Sequence, residues 1–247
     1  MLDQGIWIYG YHSVINLLKN NKREIISIIV TEKNFNEIKE LILNNCKQNL
    51  PLLKIKNMNY FKQILPEGAV HQGYAIQVKP LVRKTLHELL ESLNNKQNQL
   101  ILILDQVTDT RNIGAIIRSA VAFDANAIIL LKDHSPKENA LMSKAAAGGL
   151  EQIDIIEIIN LQNTLKVLKE HDFWIVGLDS HSSTLLDQIK DFKNIALVLG
   201  AEDKGIRPLT KKSCDVLACI PMNSKKMESL NISNAAAIAL YELYLKK

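Results

Sequence analysis

Leu100-Ile101-Leu102-Ile103-Leu104-Asp105-Gln106-Val107-Thr108-Asp109-Thr110-Arg111-Asn112-Ile113-Gly114-Ala115-Ile116-Ile117-Arg118 passes from an unbroken apolar run through a polar stretch into a second apolar segment. A strand ends at Leu104 and a helix opens near Asn112. A strand that is apolar at every position is buried on both faces, which is how strands of a parallel sheet read. The unit recurs downstream, with strands expected at Ala127–Leu131, 153–158, Trp174–Leu178, 195–199 and 216–220, separated by helical patterns. Strands alternating with helices predict an α/β fold with a mostly parallel sheet covered on both sides.

Upstream, Val14, Leu17 and Leu18 have helical spacing after Gly10, and the β-branched run Ile25–Val30 reads as a buried strand. The alternation continues through a helix at 35–43, a strand at 52–55, a helix at 60–65 and a strand at Tyr74–Val78, until Pro80 breaks it. Residues 81–98 change character: Leu86, Leu89, Leu90 and Leu93 suggest a short helix, and Asn94-Asn95-Lys96-Gln97-Asn98 is a polar cluster. This stretch reads as a linker. A chain of 247 residues exceeds the usual domain of about 100 to 150. The expected division is therefore a small αβ domain over 1–80, a linker over 81–98 and a larger α/β domain over 99–247.

Hydrophobic residues at 47% and charged residues at 23% are those of a soluble globular protein, which excludes disorder, collagen-like repeats and coiled coil. The 30 basic and 26 acidic side chains leave a net +4. Residues 1–80 carry 10 basic against 6 acidic groups, whereas 99–247 carry 17 against 18. A basic unit ahead of a near-neutral one suggests that the first grips a polyanion through lysines such as Lys19, Lys22 and Lys33 while the second does chemistry. A solvated lysine surface explains the same charge. The three cysteines Cys46, Cys214 and Cys219 lack C-x-x-C spacing, so neither a disulfide framework nor a zinc ribbon is expected. No basic segment precedes an apolar core at the N-terminus, and no apolar run approaches the roughly 18 residues of a membrane helix, so a cytoplasmic protein with no membrane association is expected.

The familiar nucleotide, zinc-hydrolase and serine-nucleophile motifs are missing from the sequence, leaving no anchor for a metal. What remains are polar residues just after strands. Near Asn112, a favoured helix cap, open backbone N–H groups could bind an anion. Gly114 lies one turn before Arg118, leaving room beside the guanidinium, and Arg111 and Arg118 share a helix face. With 25 lysines and only 5 arginines in the chain, arginine at Arg111, Arg118 and Arg207 hints at planar, forked contacts to phosphate or a base edge. A second segment, Leu199-Gly200-Ala201-Glu202-Asp203-Lys204-Gly205-Ile206-Arg207-Pro208, runs from a strand into a glycine-flanked loop, with Pro208 suited to a first helical turn. The third runs from Ile220-Pro221-Met222 through a polar loop to Ser229-Leu230-Asn231-Ile232-Ser233 and a helix with four alanines. Taken singly, each also reads as a capped helix or a tight turn.

Together and in this order, N-x-G-x-x-x-R, G-A-E-x-x-G and I-P-M with S-L-N-x-S resemble the SpoU/TrmH family of RNA ribose 2′-O-methyltransferases. The resemblance covers essentially the whole chain. Tyr9-Gly10-Tyr11-His12-Ser13-Val14 and His71-Gln72-Gly73 look like the L30e-like RNA-binding domain of the subgroup that methylates a guanosine in the P-site loop of 23S rRNA. The family implies that 99–247 form a SPOUT domain whose C-terminal trefoil knot holds S-adenosylmethionine, and that the protein acts as a homodimer with sites at the subunit interface. Carried over by motif, backbone near Gly177, Leu199, Gly200, Ile220, Met222 and Leu230 would hold the cofactor. Asn112, Arg118, Glu202, Ser229 and Asn231 would form the polar catalytic set, with Arg111, Lys19, Lys22 and Lys33 as RNA contacts.

The sequence departs from the family pattern in three places. The loop 223–228 lacks the usual glycine and is one residue longer, Asp203 stands where a small residue is common, and Asn234 replaces a usual Val. The reaction so implied moves a methyl group from a sulfonium to a ribose hydroxyl. Because a guanidinium has a pKa above about 12, Arg118 is expected to bind the adjacent phosphate and steady the developing alkoxide, with the proton passing to phosphate or water. Other readings are a tRNA guanosine or another rRNA nucleotide as substrate, or a catalytically silent RNA-binding ribosome-assembly factor on the same scaffold.

Overall fold

A computed structural model describes residues 5–20, 22–93, 98–189, 193–223 and 226–246. The chain divides into two compact units, Met1–Val82 with Lys137–Glu151, and Arg83–Pro136 with Gln152–Lys247.

The first unit is a four-stranded sheet in the order β1-β4-β2-β3, built from β1 (Ile6–Tyr9), β2 (Ile25–Val30), β3 (Leu53–Ile55) and β4 (Tyr74–Val78). Only β2 and β3 pair in parallel. Alternate side chains leave opposite faces of a strand. Ile8, Ile28 and Ile76 therefore meet α1 (Tyr11–Asn20) and α2 (Phe35–Asn45) on one face, where Val14, Leu17, Ile38 and Ile42 close the core. Tyr9, Ile29 and Ala75 meet Phe61 and Leu65, from α3 (Met58–Ile64) and the residue after it, on the other. β1 has no counterpart in the sequence-based expectation, because four residues are too few to display a period.

The second unit is a six-stranded, wholly parallel sheet in the order β10-β8-β9-β5-β6-β7. Its strands are β5 (Gln99–Asp105), β6 (Ala127–Leu131), β7 (Asp154–Ile158), β8 (Trp174–Leu178), β9 (Asn194–Gly200) and β10 (Val216–Ala218). β5 is buried at every position, as its apolar run requires. Its helices are α4 (Leu86–Leu93), α5 (Thr110–Ala122), α7 (Leu161–Glu170), α8 (Pro208–Ser213) and α9 (Ile232–Tyr244), with α6 (Ala140–Ala146) assigned to the first unit. The strand expected over 216–220 stops at Ala218, and Cys219 forms only an isolated bridge with Leu185.

Two stretches depart from the expected division. In the supposed linker, Leu86, Leu89, Leu90 and Leu93 make one helical stripe, and α4 buries Leu89, Leu90 and Leu93 in the core of the second unit. Residues 94–97 of that stretch lie outside the described residues. Residues 137–151, expected in the second unit, pack with the first, where α6 contacts β1 and α1. The Arg23 side chain, fully buried, joins this segment through Glu138 at 2.5 Å and Glu151 at 2.7 Å. Asn16 Nδ2 also donates to the Ala147 carbonyl at 2.7 Å. Arg23 therefore contributes nothing to the basic surface.

Removing one member of a buried ionic cluster leaves the others without a counter-charge, at a cost of about 3–5 kcal/mol. Arg23→Ala is expected to lower the unfolding free energy of the first unit by that amount in urea denaturation. Lys22→Ala, at an exposed neighbour, should change it by less than about 0.5 kcal/mol.

Candidate active site at the carboxyl edge of the parallel sheet

Because every strand of the larger sheet runs the same way, the loops that follow β5, β8, β9 and β10 leave from one edge. The chain builds outward from β5 through β6 to β7, then crosses to place β8 and β9 on the other side. The change of direction falls between β5 and β9, where open α/β sheets have their ligand crevice.

After β5 the backbone turns through Gln106 in the left-handed region (φ 63°), which few non-glycine residues adopt. α5 then starts at Thr110. Its cap is Asp109, whose carboxylate accepts from the N–H groups of Arg111 at 2.6 Å and Asn112 at 3.3 Å. The expected cap, Asn112, is thus inside the first turn, and the amides expected to meet an anion already have one. A carboxylate suits this position better, since it also complements the positive end of the helix dipole. The Asn112 side chain is released for other contacts.

After β9 the chain folds back on itself. Gly205 N–H donates to the Ala201 carbonyl at 2.8 Å, closing a tight hairpin with Glu202 in it. A Cβ on Gly200 would lie 2.0 Å from the Gly205 carbonyl carbon and 2.1 Å from Ile206 N, so glycine is obligatory there. Gly205 supplies the left-handed turn (φ 61°).

The hairpin presents Glu202 to two asparagines far away in sequence. Its Oε1 accepts from Asn112 Nδ2 at 2.7 Å and from Asn231 Nδ2 at 2.8 Å, while Asn231 Nδ2 also lies 3.2 Å from Asn112 Oδ1. Asn231 is in turn the cap of α9, where its Oδ1 accepts from Ser233 N at 2.9 Å and Ser233 Oγ at 2.6 Å. Three of the expected polar residues therefore form one hydrogen-bonded cluster. Glu202 Oε2 has no partner among the described residues.

The base of the hairpin is held by a residue that the sequence reading passed over. Asp105, fully buried at the end of β5, pairs with Arg207 Nη2 at 2.7 Å and accepts from Thr210 Oγ1 at 2.9 Å. Arg207 precedes α8, which opens on Pro208 as expected. The connection after β5 thus grips the hairpin at both ends, by Asp105 at its foot and Asn112 at its tip. An acid closing an apolar strand, with a rare arginine after the G-A-E loop, was the available signal.

The remaining expected residues are placed as follows. Arg118 is exposed on α5 and has no ion-pair or hydrogen-bond partner among the described residues. Six residues at about 100° each set it about 120° around the helix from Asn112, so the two side chains leave on different faces. Gly114 is buried and offers no open space beside it. Ser229 is exposed and outside the cluster, and the Arg111 side chain is exposed. Lys19 and Lys22 precede β2 while Lys33 follows it, so a strand of about 20 Å separates them. The Gly10 and His71-Gln72-Gly73 segments do meet: Gly10 N–H donates to the Tyr74 carbonyl and Tyr11 N–H to Gln72 Oε1, each at 3.1 Å. His71 stacks on Phe61 at 4.4 Å, and burial lowers its pKa below the usual range, favouring neutral imidazole.

For the cofactor positions, Leu199 is buried in β9, whereas Ile220, Met222 and Leu230 are half-buried in irregular chain. Among the described residues, the backbone groups of those three make no hydrogen bond. Apolar side chains with uncommitted amides and carbonyls beside them suit a neutral heterocycle. Gly177 differs: a Cβ there would meet Leu217, Cys214 and Ile206 side chains at 2.7–3.0 Å, so its bareness serves packing. Next to it in the fold, burial works against ionised Asp179, but the Lys211 ammonium at 2.5 Å outweighs that and lowers its pKa. Burial pushes the Cys214 thiol up to about 11, leaving it unreactive near neutrality. Ser224 and Lys225 of the atypical loop lie outside the described residues. Among those described, no group of three or more His, Cys, Asp or Glu side chains could hold a metal, and no helix is long and apolar enough to cross a membrane.

Comparison with known proteins agrees with this geometry. Residues 99–241 match the SpoU rRNA methylase family, and residues 7–82 match a family described as RNA 2′-O ribose methyltransferase substrate binding. The chain is 34% identical to the Escherichia coli 23S rRNA (guanosine-2′-O-)-methyltransferase RlmB, over 95% of this chain and 96% of that protein. It is 36% identical to its Haemophilus influenzae namesake, over 96% of each. Among solved structures, an RNA 2′-O ribose methyltransferase superposes with a TM-score of 0.80 at 20% identity, over 99% of this chain and 89% of that one. The SpoU methyltransferase AviRb of Streptomyces viridochromogenes, in complex with AdoMet, gives 0.79 at 18% identity, over 97% and 89%. Both share the fold.

Asp105→Ala would leave the Arg207 cation and the Thr210 hydroxyl without their shared acceptor. Discounted for the partial exposure of Arg207, the loss is expected to be about 2–3 kcal/mol in urea denaturation, against about 1 kcal/mol for Thr210→Val. Amide exchange over 200–207 should accelerate in Asp105→Ala.

Proposed function

The chain belongs to the SpoU rRNA methylase family, and on that footing we propose that it is an S-adenosylmethionine-dependent RNA ribose 2′-O-methyltransferase acting on a guanosine of 23S rRNA. The observation that carries this reading is the junction of Asn112, Glu202 and Asn231, from three separate motifs, at the carboxyl edge of the sheet. Backbone at Leu199, Gly200, Ile220, Met222 and Leu230 would hold the cofactor, which when bound supplies a methyl group activated by a sulfonium. Gly177 serves this only by letting β8 pack closely.

The chain's own task is to position a weakly acidic hydroxyl and to manage its proton. Much of the rate gain in such a transfer comes from holding the nucleophile about 3–3.5 Å from the carbon it attacks. Glu202 is fixed through Oε1 by two amide donors, so its uncommitted Oε2 can accept a hydrogen bond from the ribose and orient it. Asn112 and Asn231 act by holding that carboxylate. Arg118 binds the phosphate next to the target and steadies the developing alkoxide, and the proton leaves to phosphate or water. Ser229 is within the same segment as Asn231 and lines the cofactor side.

Arg118 and Asn112 leave different faces of α5, which supports a homodimer in which Arg118 of one protomer serves the site of its partner. Ile238, Tyr241, Tyr244 and Leu245 form an exposed apolar surface on and after α9, available to such a contact. The first unit is the RNA-binding element, with Lys19, Lys22, Lys33 and, from the second unit, Arg111 as phosphate contacts. The trefoil knot belongs to the same reading.

Mapping ribose methylation across ribosomal and transfer RNA with and without the gene should reveal one lost mark, on a 23S rRNA guanosine. A lost mark on tRNA would overturn the substrate, and no lost mark together with no S-adenosylmethionine heat in calorimetry would overturn the activity. Arg118→Lys is expected to bind the cofactor with unchanged affinity and to lose at least about 100-fold in kcat, since a point charge does not replace the forked guanidinium. Wild-type turnover in that variant would remove Arg118 from the site.

A further inference from the structure

Beside the Asn112–Glu202–Asn231 cluster lies a cavity of about 440 Å³, within the size range of small-ligand pockets. Asn112 and Glu202 form part of its lining, and it extends away from them between the connection after β5, the loop after β6 and the hairpin after β9. Five further polar side chains line it: Gln106, Thr108, His134, Asp203 and Lys204. Among the described residues, none of these five side chains makes a hydrogen bond or an ion pair. Gln106 is also the residue held in the left-handed region. Polar groups that converge on a cavity without satisfying one another are arranged for something outside the chain, and strained backbone gathers at such sites.

The donor and acceptor types narrow the ligand. An ionised Asp203 only accepts, through two adjacent oxygens, and Lys204 only donates; Gln106, Thr108 and His134 do both. Among the RNA bases only guanine presents two neighbouring donors, N1–H and the 2-amino group, on its Watson–Crick edge, with the acceptors O6 and N7 further round. Adenine would turn the lone pair of N1 towards the carboxylate, and uracil and cytosine each offer a single donor there. Single-stranded RNA is read in this way, by bases splayed out of the stack and bonded along their edges.

We propose that this cavity receives the base of the target nucleotide and that Asp203 selects guanine by accepting from N1–H and the 2-amino group, with Lys204 and Gln106 facing O6 and N7. The assignment rests on the methyltransferase reading above, and it places the ribose of that nucleotide against Glu202, the neighbour of Asp203. It also gives a use to the carboxylate at a position where the family commonly has a small residue.

The test uses full-length protein and an RNA fragment that contains the mapped target, made with guanosine or with inosine, which lacks only the 2-amino group. Wild-type kcat/KM is expected to fall roughly 10- to 100-fold on the inosine RNA. Asp203→Asn should lose a similar factor on the guanosine RNA but no more than about 2-fold further on inosine, because the two changes remove one interaction. RNA affinity measured without cofactor should show the same coupling, and Asp203→Ala should repeat it, with S-adenosylmethionine affinity unchanged in both variants. Equal losses on the two RNAs, or unaltered discrimination in both variants, would overturn the pocket while leaving the methyltransferase standing. A mark mapped to a nucleotide other than guanosine would do the same. Absence of any mark would overturn both.

Discussion

Six parallel strands with one change of direction in their order constrain everything else in the larger unit. Parallel pairing puts each strand's exit on the same edge, and the reversal between β5 and β9 keeps their two exits side by side without a helix crossing over them. Asn112 follows one exit and Glu202 the other, 90 residues apart in sequence and 2.7 Å apart in space. Asn231 joins them because the chain after β10 returns to the same edge before α9 begins. The hydrogen bonds are a consequence of strand order first and of side-chain chemistry second.

Within that frame, rigidity comes from close backbone contact more than from the number of polar bonds. The hairpin after β9 has Gly200 against Gly205 and Ile206, and no side chain could be inserted without parting them. Its foot is tied to Asp105 and its tip to Asn112, both in the connection after β5. A site held at two points by one short connection can orient a ribose without relying on a long side chain. The residues beyond the tip, Asp203 and Lys204, are left uncommitted, which suits contact with a variable partner better than structural duty.

The sequence was most legible where burial imposes a period. The apolar run of β5, the alternation of later strands and helices, and the cluster of three motifs were all readable. The stripe of leucines in α4 was visible too, but a polar cluster beside it suggested a linker; whether such a stripe is buried depends on a partner surface that local sequence does not show. β1 was too short to display alternation. The cap of α5 was misplaced by three residues because Asp109 and Asn112 are both good caps, and only the path of the preceding turn decides between them. Arg23 counted towards the basic surface until burial beside Glu138 and Glu151 removed it. Asp105 could not be singled out because its partners lie more than 100 residues downstream.

By itself, then, the sequence determined the α/β class, the order of the elements, the family resemblance and the identity of Asn112, Glu202 and Asn231 as a set, since these follow from local apolar periodicity and from residues close together in motifs. Only the tertiary structure decided that Glu202 is the centre of that set, that Asp105 holds its loop, that Arg118 points elsewhere, and that unpartnered polar side chains line a cavity beside it. Those are statements about directions and distances between chain segments, and they are fixed by how the sheet orders its strands, which no single segment encodes.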